Sequence, residues 1–300
     1  MSAAAEAVPV TSALLRDWPL PGPHASSGSG KEQRGRVLVV GGSARTPGAV
    51  LLAAEASIRC GAGKLQVATV RSTSAALGVA LPEALVLPLA ETPDGVLTAE
   101  GDCRGELLEL AGSADAVLAG PGMLDEERTR ELVAALVPAV GGALVLDALG
   151  LALLSRDPGA LGEAPRAVLT PNLKEIALTL GVEELEAEAD LAGAALELAR
   201  RTGAVVAAGG ADSWIAAPDG RLWVDTTGGE GLGVSGSGDV LAGLVAGLCA
   251  RGAEPAQAAV WGAHLHGRAG DRLAAEVGRL GFLARELPGR VPGVLAELEV

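Results

Sequence analysis

Short apolar runs that end in glycine, aspartate or asparagine, each followed by a helix-length segment, constrain the fold of this chain more than any other feature. Arg36–Val40 is a β-branched run closed by Gly41-Gly42-Ser43, and Pro47 then suits the first turn of a helix reaching about Arg59. Leu65–Val70 reads as the next strand. The pattern recurs at Ala116–Leu118 before Ala119-Gly120-Pro121-Gly122, at Ala143–Leu146 before Asp147, at Ala167–Leu169 before Thr170-Pro171-Asn172, and at Ala204–Ala207. Helices are expected over Glu126–Val137, Lys174–Leu180, Glu186–Arg200 and most of the chain after Asp239. Trp214–Ala217 and Leu222–Val224 flank Pro218-Asp219-Gly220, a hairpin signal. Strands alternating with helices predict an α/β sandwich with a mostly parallel central sheet covered on both faces. Ligands bind such sheets beyond the carboxyl ends of the strands, where Gly41–Gly48, Gly120–Gly122, Asp147, Asn172–Glu175 and Gly236–Asp239 all fall. No linker divides residues 36–300, which are read as one domain. Residues 1–35, with Gly28, Gly30 and their serines, are read as a flexible lead-in.

The composition restricts what this sandwich contains and meets. Hydrophobic residues make up 49% of the chain but aromatics only 2%, so the core must be built of Ala, Val and Leu. A net charge of -14 argues against nonspecific nucleic-acid binding. Cys60, Cys103 and Cys249 form no metal-spaced cluster; buried free thiols in a reducing cytoplasm are expected. No signal peptide is read at the N-terminus, and no apolar run is long enough to span a bilayer. His24, His264 and His266 build no metal site, and the latter two are expected on the surface of a late helix. Trp214, Trp223 and Trp261 are read as packing residues.

The segment with the most chemistry is Ser235-Gly236-Ser237-Gly238-Asp239-Val240-Leu241-Ala242-Gly243. A glycine-rich turn runs straight into an apolar helix, whose first amides lack internal partners and carry the positive end of the helix dipole. Such a turn suits an anion. Asp239 sets a potential base, or a metal-linked charge, beside it, and that pairing suggests phosphoryl transfer. The structural reading of the same residues is a capped turn. Two readings also stand at Thr170-Pro171-Asn172-Leu173-Lys174-Glu175. Asn172 and Glu175 have capping-box spacing, while at the same mouth Glu175 could hold a hydrated Mg²⁺ and Asn172 substrate or phosphate. Gly120-Pro121-Gly122 is either a tight turn or a close approach for a flat ligand, and Asp147 either satisfies loop amides or faces the site.

Taken together these segments resemble the ADP/ATP-dependent NAD(P)H-hydrate dehydratase family of the ribokinase-like superfamily. The resemblance runs from about Arg36 to the C-terminus. It is carried by Gly41-Gly42-Ser43 with Pro47-Gly48-Ala49, Arg59-Cys60-Gly61-Ala62-Gly63-Lys64, Gly120-Pro121-Gly122, Leu169-Thr170-Pro171 and Gly236–Gly243. It implies a ribokinase-like three-layer sandwich and the repair of the hydrated cofactors NADHX and NADPHX. ADP or ATP would phosphorylate the ring hydroxyl with Mg²⁺ present, and phosphate would then be eliminated. It further implies Asp239 as catalytic base and Ala49, Gly122, Asn172 and Asp239 at hydrate-binding positions. Gly236, Ser237, Gly238, Ala208 and Gly209 would bind the nucleotide, and Glu175 the metal through water. A cytoplasmic homo-oligomer, a tetramer in the family's usual form, linked functionally to an NAD(P)HX epimerase, is also implied.

The chain departs from the family pattern in three places. Asn172 stands where the family has His, and Lys174 where it has Gly; Asn172-x-x-Glu175 instead looks like the NxxE motif of ribokinase-type sugar kinases. Ala207-Ala208-Gly209-Gly210 lacks the family's lysine, and Gly228-Gly229 replaces its Gly-Asn. Losing one charged hydrogen bond to phosphate is worth about 1.5–3 kcal/mol. The first departure favours a kinase of a small vitamin-type alcohol as an alternative activity; the second favours a weakly active nucleotide-binding paralogue.

Overall fold

Glycine, proline and aspartate punctuate the chain where the sequence predicts, and the elements between them build one sheet with helices on both faces. A computed structural model describes residues 7–22, 30–162 and 166–299. In chain order the elements are β1 (Val8–Pro9), α1 (Ser12–Asp17), β2 (Arg36–Val40), α2 (Pro47–Arg59), β3 (Lys64–Val70), α3 (Arg71–Ala80), β4 (Ala84–Leu89) and α4 (Arg104–Ser113). Then follow β5 (Ala116–Ala119), α5 (Glu126–Leu136), β6 (Ala143–Leu146), α6 (Ala152–Arg156), β7 (Ala167–Leu169), α7 (Leu173–Leu180), α8 (Glu184–Ala189) and α9 (Leu191–Thr202). Last come β8 (Val205–Ala208), β9 (Ser213–Ala216), β10 (Leu222–Asp225), α10 (Ser237–Ala250), α11 (Pro255–Glu276) and α12 (Val291–Leu298).

The sheet has ten strands in the order β1-β10-β9-β8-β7-β6-β5-β2-β3-β4. From β8 to β4 every neighbouring pair is parallel; β9 is antiparallel to both β8 and β10. The chain lays down β2, β3 and β4 in one direction and then crosses to the other side of β2 with β5. The crevice between the ends of β2 and β5 is therefore the topological switch point, where open α/β sheets bind ligands.

The strand period of two divides the core. Val37, Val39, Leu118 and Val145 face one cluster with α2, α10 and α11, while Leu38, Val40, Val117 and Leu146 face the other with α5, α7 and α9. Both faces are covered, which is why these strands read as continuous apolar runs. The scarcity of aromatics is matched by close helix packing. Gly243 and Gly247 of α10 lie directly against the backbone of Ala53 and Ser57 in α2, with no room for a side chain.

Two expectations are corrected. Residues 7–22 belong to the fold rather than to a flexible lead-in. β1 pairs with β10, Leu15 is fully buried, and Trp18 stacks on Trp223 with ring centroids 5.9 Å apart. Gly28 and its neighbouring serines, and His24, lie outside the described residues. His264 and His266 do not sit on a helix surface. α11 is packed against both α10 and the sheet, so His264 is buried and His266 half-buried. The thiols of Cys60 and Cys249 are free and buried as expected, and burial pushes each up to about 12. Trp223 and Trp261 are buried packing residues. Among the described residues no helix is long and apolar enough to cross a membrane.

Candidate active site

The five sequence-predicted loops meet along the carboxyl edge of the parallel strands. At the switch point the Gly42 N–H donates to the Pro121 carbonyl at 2.7 Å, and the Thr46 hydroxyl donates to the Gly122 carbonyl at 2.7 Å. Ser43 Oγ in turn accepts from the Arg45 and Thr46 amides, at 3.2 and 3.1 Å. These bonds join the loops after β2 and β5 into one rigid lip. Ala49 and Gly122 face each other across it, since a Cβ at Gly122 would lie 2.9 Å from the Ala49 methyl group. The loop after β4 braces the lip from outside, with the Ala44 N–H donating to the Gly95 carbonyl at 2.9 Å.

Asp147 directly follows β6, and its backbone packs on Gly120. Gly120 has φ +126°, and a Cβ there would collide with the Asp147 carbonyl oxygen, so only glycine fits. The Asp147 side chain is buried and accepts from the Thr170 hydroxyl at 2.8 Å. Asn172 caps α7 in a capping box. Its Oδ1 accepts from the Glu175 N–H and Glu175 Oε2 accepts from the Asn172 N–H, both at 3.0 Å. The structural reading of Asn172-x-x-Glu175 therefore holds. Gly209 donates its N–H to the Pro171 carbonyl at 3.0 Å, beside Asn172.

Asp239 stands in the first turn of α10, which begins after Gly236 at φ +91°. No side chain caps this helix. The Ser237 N–H donates to the Val234 carbonyl at 3.1 Å, leaving the amides of Gly238 and Asp239 as the open donors of the turn. Gly238 is exposed, with empty space where a Cβ would be.

Three carboxylates gather here with no cation to balance them. Asp147, Asp239 and Glu175 make no ion pair among the described residues. Burial first, and then the Glu175 charge, push the Asp239 carboxyl up to about 6. Burial, then Asp239, raise Asp147 to about 8, and the Thr170 hydrogen bond offsets part of that rise. Burial also raises Glu175, against hydrogen bonds from Asn172. No group of three His, Cys, Asp or Glu among the described residues is disposed to ligate a metal directly. Uncompensated carboxylates beside open phosphate-type donors nevertheless fit Mg²⁺, which keeps its waters and is shared between one or two carboxylates and substrate phosphates.

The raised Asp147 has a consequence for stability. A carboxyl whose folded pKa exceeds its unfolded value takes up a proton on folding. Its favourable share is complete below 3.8 and is lost as pH rises through about 8. Thermal melts across that range should show the wild type losing stability as pH rises, and Asp147→Asn losing less because it cannot ionise while it still accepts from Thr170. Parallel pH dependences in the two proteins would contradict this.

At two of the positions assigned to the nucleotide the side chain is turned inward. Ala208 is fully buried in the core cluster under α9, so its side chain cannot reach a nucleotide, and the open position there is Gly209. Ser237 is buried, and its hydroxyl is engaged by His266 Nε2 at 2.9 Å, so it anchors the turn from behind. Sequence reasoning missed His266, which carried no signal beyond its place in an apolar helix.

The family model of NAD(P)H-hydrate dehydratase matches residues 37–292. The chain belongs to the NAD(P)H-hydrate dehydratase family. It is 49% identical over 96% of both chains to a protein of Xanthomonas campestris named ADP-dependent (S)-NAD(P)H-hydrate dehydratase. It also matches bifunctional NAD(P)H-hydrate repair enzymes, of whose length it spans about half. A solved ADP/ATP-dependent NAD(P)H-hydrate dehydratase from Bacillus subtilis, co-crystallized with ATP and Mg²⁺, is 27% identical and superposes with a TM-score of 0.79 over 98% of this chain and 99% of its own. A ribokinase-like superfamily protein from Enterococcus faecalis, 22% identical, shares the fold with a TM-score of 0.82 over 97% of this chain and 96% of its own. The ribokinase-like sandwich expected from the resemblance is thus the architecture of this dehydratase-family chain.

Proposed function

We propose that this chain dehydrates NADHX and NADPHX to NADH and NADPH with ADP as the phosphoryl donor, and that Asp239 is its catalytic base. The observation that carries the proposal is the start of α10, where a carboxyl poised near neutrality stands beside amides with nothing to bind. ADP is supported by the printed name of the relative from Xanthomonas campestris.

Hydroxide is a poor leaving group and phosphate a good one, which explains why a dehydration would use a phosphoryl donor. In the first step the hydroxyl oxygen of the hydrate attacks the β-phosphorus of ADP. Its proton passes to Asp239, and AMP departs with the electron pair of the broken P–O bond. The amides of Gly238 and Asp239 stabilise charge on the transferred phosphoryl group. In the second step the C–O bond breaks, phosphate leaves with the electron pair, and a proton lost from the adjacent ring carbon restores the double bond. Ala49, Gly122 and Asn172 border the hydrate, and Gly209 the nucleotide. Mg²⁺, when bound, neutralises phosphate charge, and Glu175 would hold it through water. Its capping-box role gives Asn172-x-x-Glu175 a local explanation, so that motif does not favour the small-alcohol kinase. The proposal extends to a cytoplasmic setting, consistent with the free thiols, and to supply of the usable epimer by an NAD(P)HX epimerase.

The test is the nucleotide ledger of the reaction. Chromatography of a reaction with ADP, Mg²⁺ and NADHX should show one AMP and one phosphate per NADH formed, with ATP used more slowly. Faster use of ATP would overturn the choice of donor, and accumulation of a stable phosphorylated small molecule would overturn the dehydratase reading.

A further inference from the structure

We propose that His266 is a positioning residue for the phosphoryl-binding turn, acting through Ser237. Ser, Thr, Asp and Asn are the favoured helix N-caps because their side chains can fix the first turn. α10 cannot be fixed in this way, because its N-cap is Gly236, which has no side chain to offer. Ser237 follows it and is buried, and its Oγ lies 2.9 Å from His266 Nε2 on α11. Burial holds His266 down to about 4, so its ring is neutral at physiological pH and serves as a hydrogen-bonding partner rather than a charge beside the phosphates.

The same helix holds the other end of the segment that leads into the turn. His264 Nδ1 lies 3.0 Å from Asp225 Oδ2, and Asp225 Oδ1 accepts from the Thr227 N–H and hydroxyl at 2.8 and 2.7 Å. Asp271 accepts from the Gly228 N–H at 3.1 Å. α11 therefore pins the chain from Asp225 to Gly228 and again at Ser237, on either side of the glycine-rich stretch. This fixes the turn without using the amides of Gly238 and Asp239, or the Asp239 carboxylate, as fasteners. The inference rests on the reading that this turn takes the nucleotide's phosphates.

Steady-state kinetics of the full chain, with nucleotide and hydrate varied separately, test it. His266→Ala should raise KM for the nucleotide and lower kcat/KM about tenfold, a change of about 1.4 kcal/mol, and leave KM for the hydrate unchanged. His266→Gln, which keeps a hydrogen-bonding group, should recover part of the loss. Ser237→Ala should reproduce it, and the double variant should be no worse than either single one. A lower melting temperature with unchanged nucleotide kinetics would overturn the proposal, as would losses that multiply in the double variant. If His266→Ala does not fold, Ser237→Ala decides alone, since unchanged nucleotide KM there is equally fatal. Gly238→Asp tests the underlying reading separately. Its Cβ has open space, and the substitution sets a negative charge at the turn. If it leaves nucleotide KM unchanged, the phosphate assignment fails; if it abolishes binding while His266→Ala does not weaken it, only the positioning role fails.

Discussion

Asp239→Asn should lower kcat for dehydration by about 10²–10⁴-fold, the usual worth of a positioned general base. Asparagine keeps the size of the side chain and the open amides of Gly238 and Asp239, so nucleotide binding should survive while proton removal is lost. The same variant should be at least as stable as the wild type. Asp239 is held up to about 6 because burial and Glu175 disfavour its charge, so its ionised form opposes folding at neutral pH. The wild-type kcat/KM should rise with pH through about 6 as Asp239 loses its proton. A variant within tenfold of wild-type kcat would remove Asp239 from the chemistry. Activity lost together with a large fall in melting temperature would point to structural damage instead.

Gly120→Ala should be among the most damaging small substitutions in the chain. The position has φ +126°, and a methyl group would strike the Asp147 carbonyl oxygen and crowd the Gly150 amide. Backbone strain and overpacking each cost about 1–3 kcal/mol. Together they should lower the melting temperature by roughly 5–15 °C in a chain of this size. Activity should fall as well, because relief of the clash moves the end of β6 and, with it, Asp147. Gly238→Ala is the control. It has an ordinary backbone and open space, so its melting temperature should stay near that of the wild type. Equal melting temperatures for Gly120→Ala and the wild type would contradict the close approach on which the site is built.

Much of this arrangement was legible in the residues. Strands such as Arg36–Val40 and Ala143–Leu146 are buried on both faces, so they stand out as unbroken apolar runs, and the glycine or aspartate closing each marks the edge where ligands bind. The capping box at Asn172 and Glu175 is a local interaction fixed by spacing, so it too could be read directly. The segment between Val70 and Ala116 was not legible in this way. β4 carries Pro88 and an exposed Leu85 because it is an edge strand, where an internal proline and a solvent-facing apolar residue are tolerated. β1 is two residues long, and its place depends on β10, far along the chain. The histidines illustrate the deeper limit. Whether His264 and His266 face water or core depends on how α11 packs against α10 and the sheet, and nothing within α11 encodes their partners Asp225 and Ser237. The burial of Ala208 is likewise set by α9, not by its neighbours in sequence.

The most direct test of the central claim is the return of reduced-nicotinamide absorbance when the purified chain meets NADHX, Mg²⁺ and nucleotide. A rise that requires nucleotide, is faster with ADP than with ATP, and is absent in Asp239→Asn is the predicted result. No rise with either nucleotide, or a rise that needs none, would contradict it.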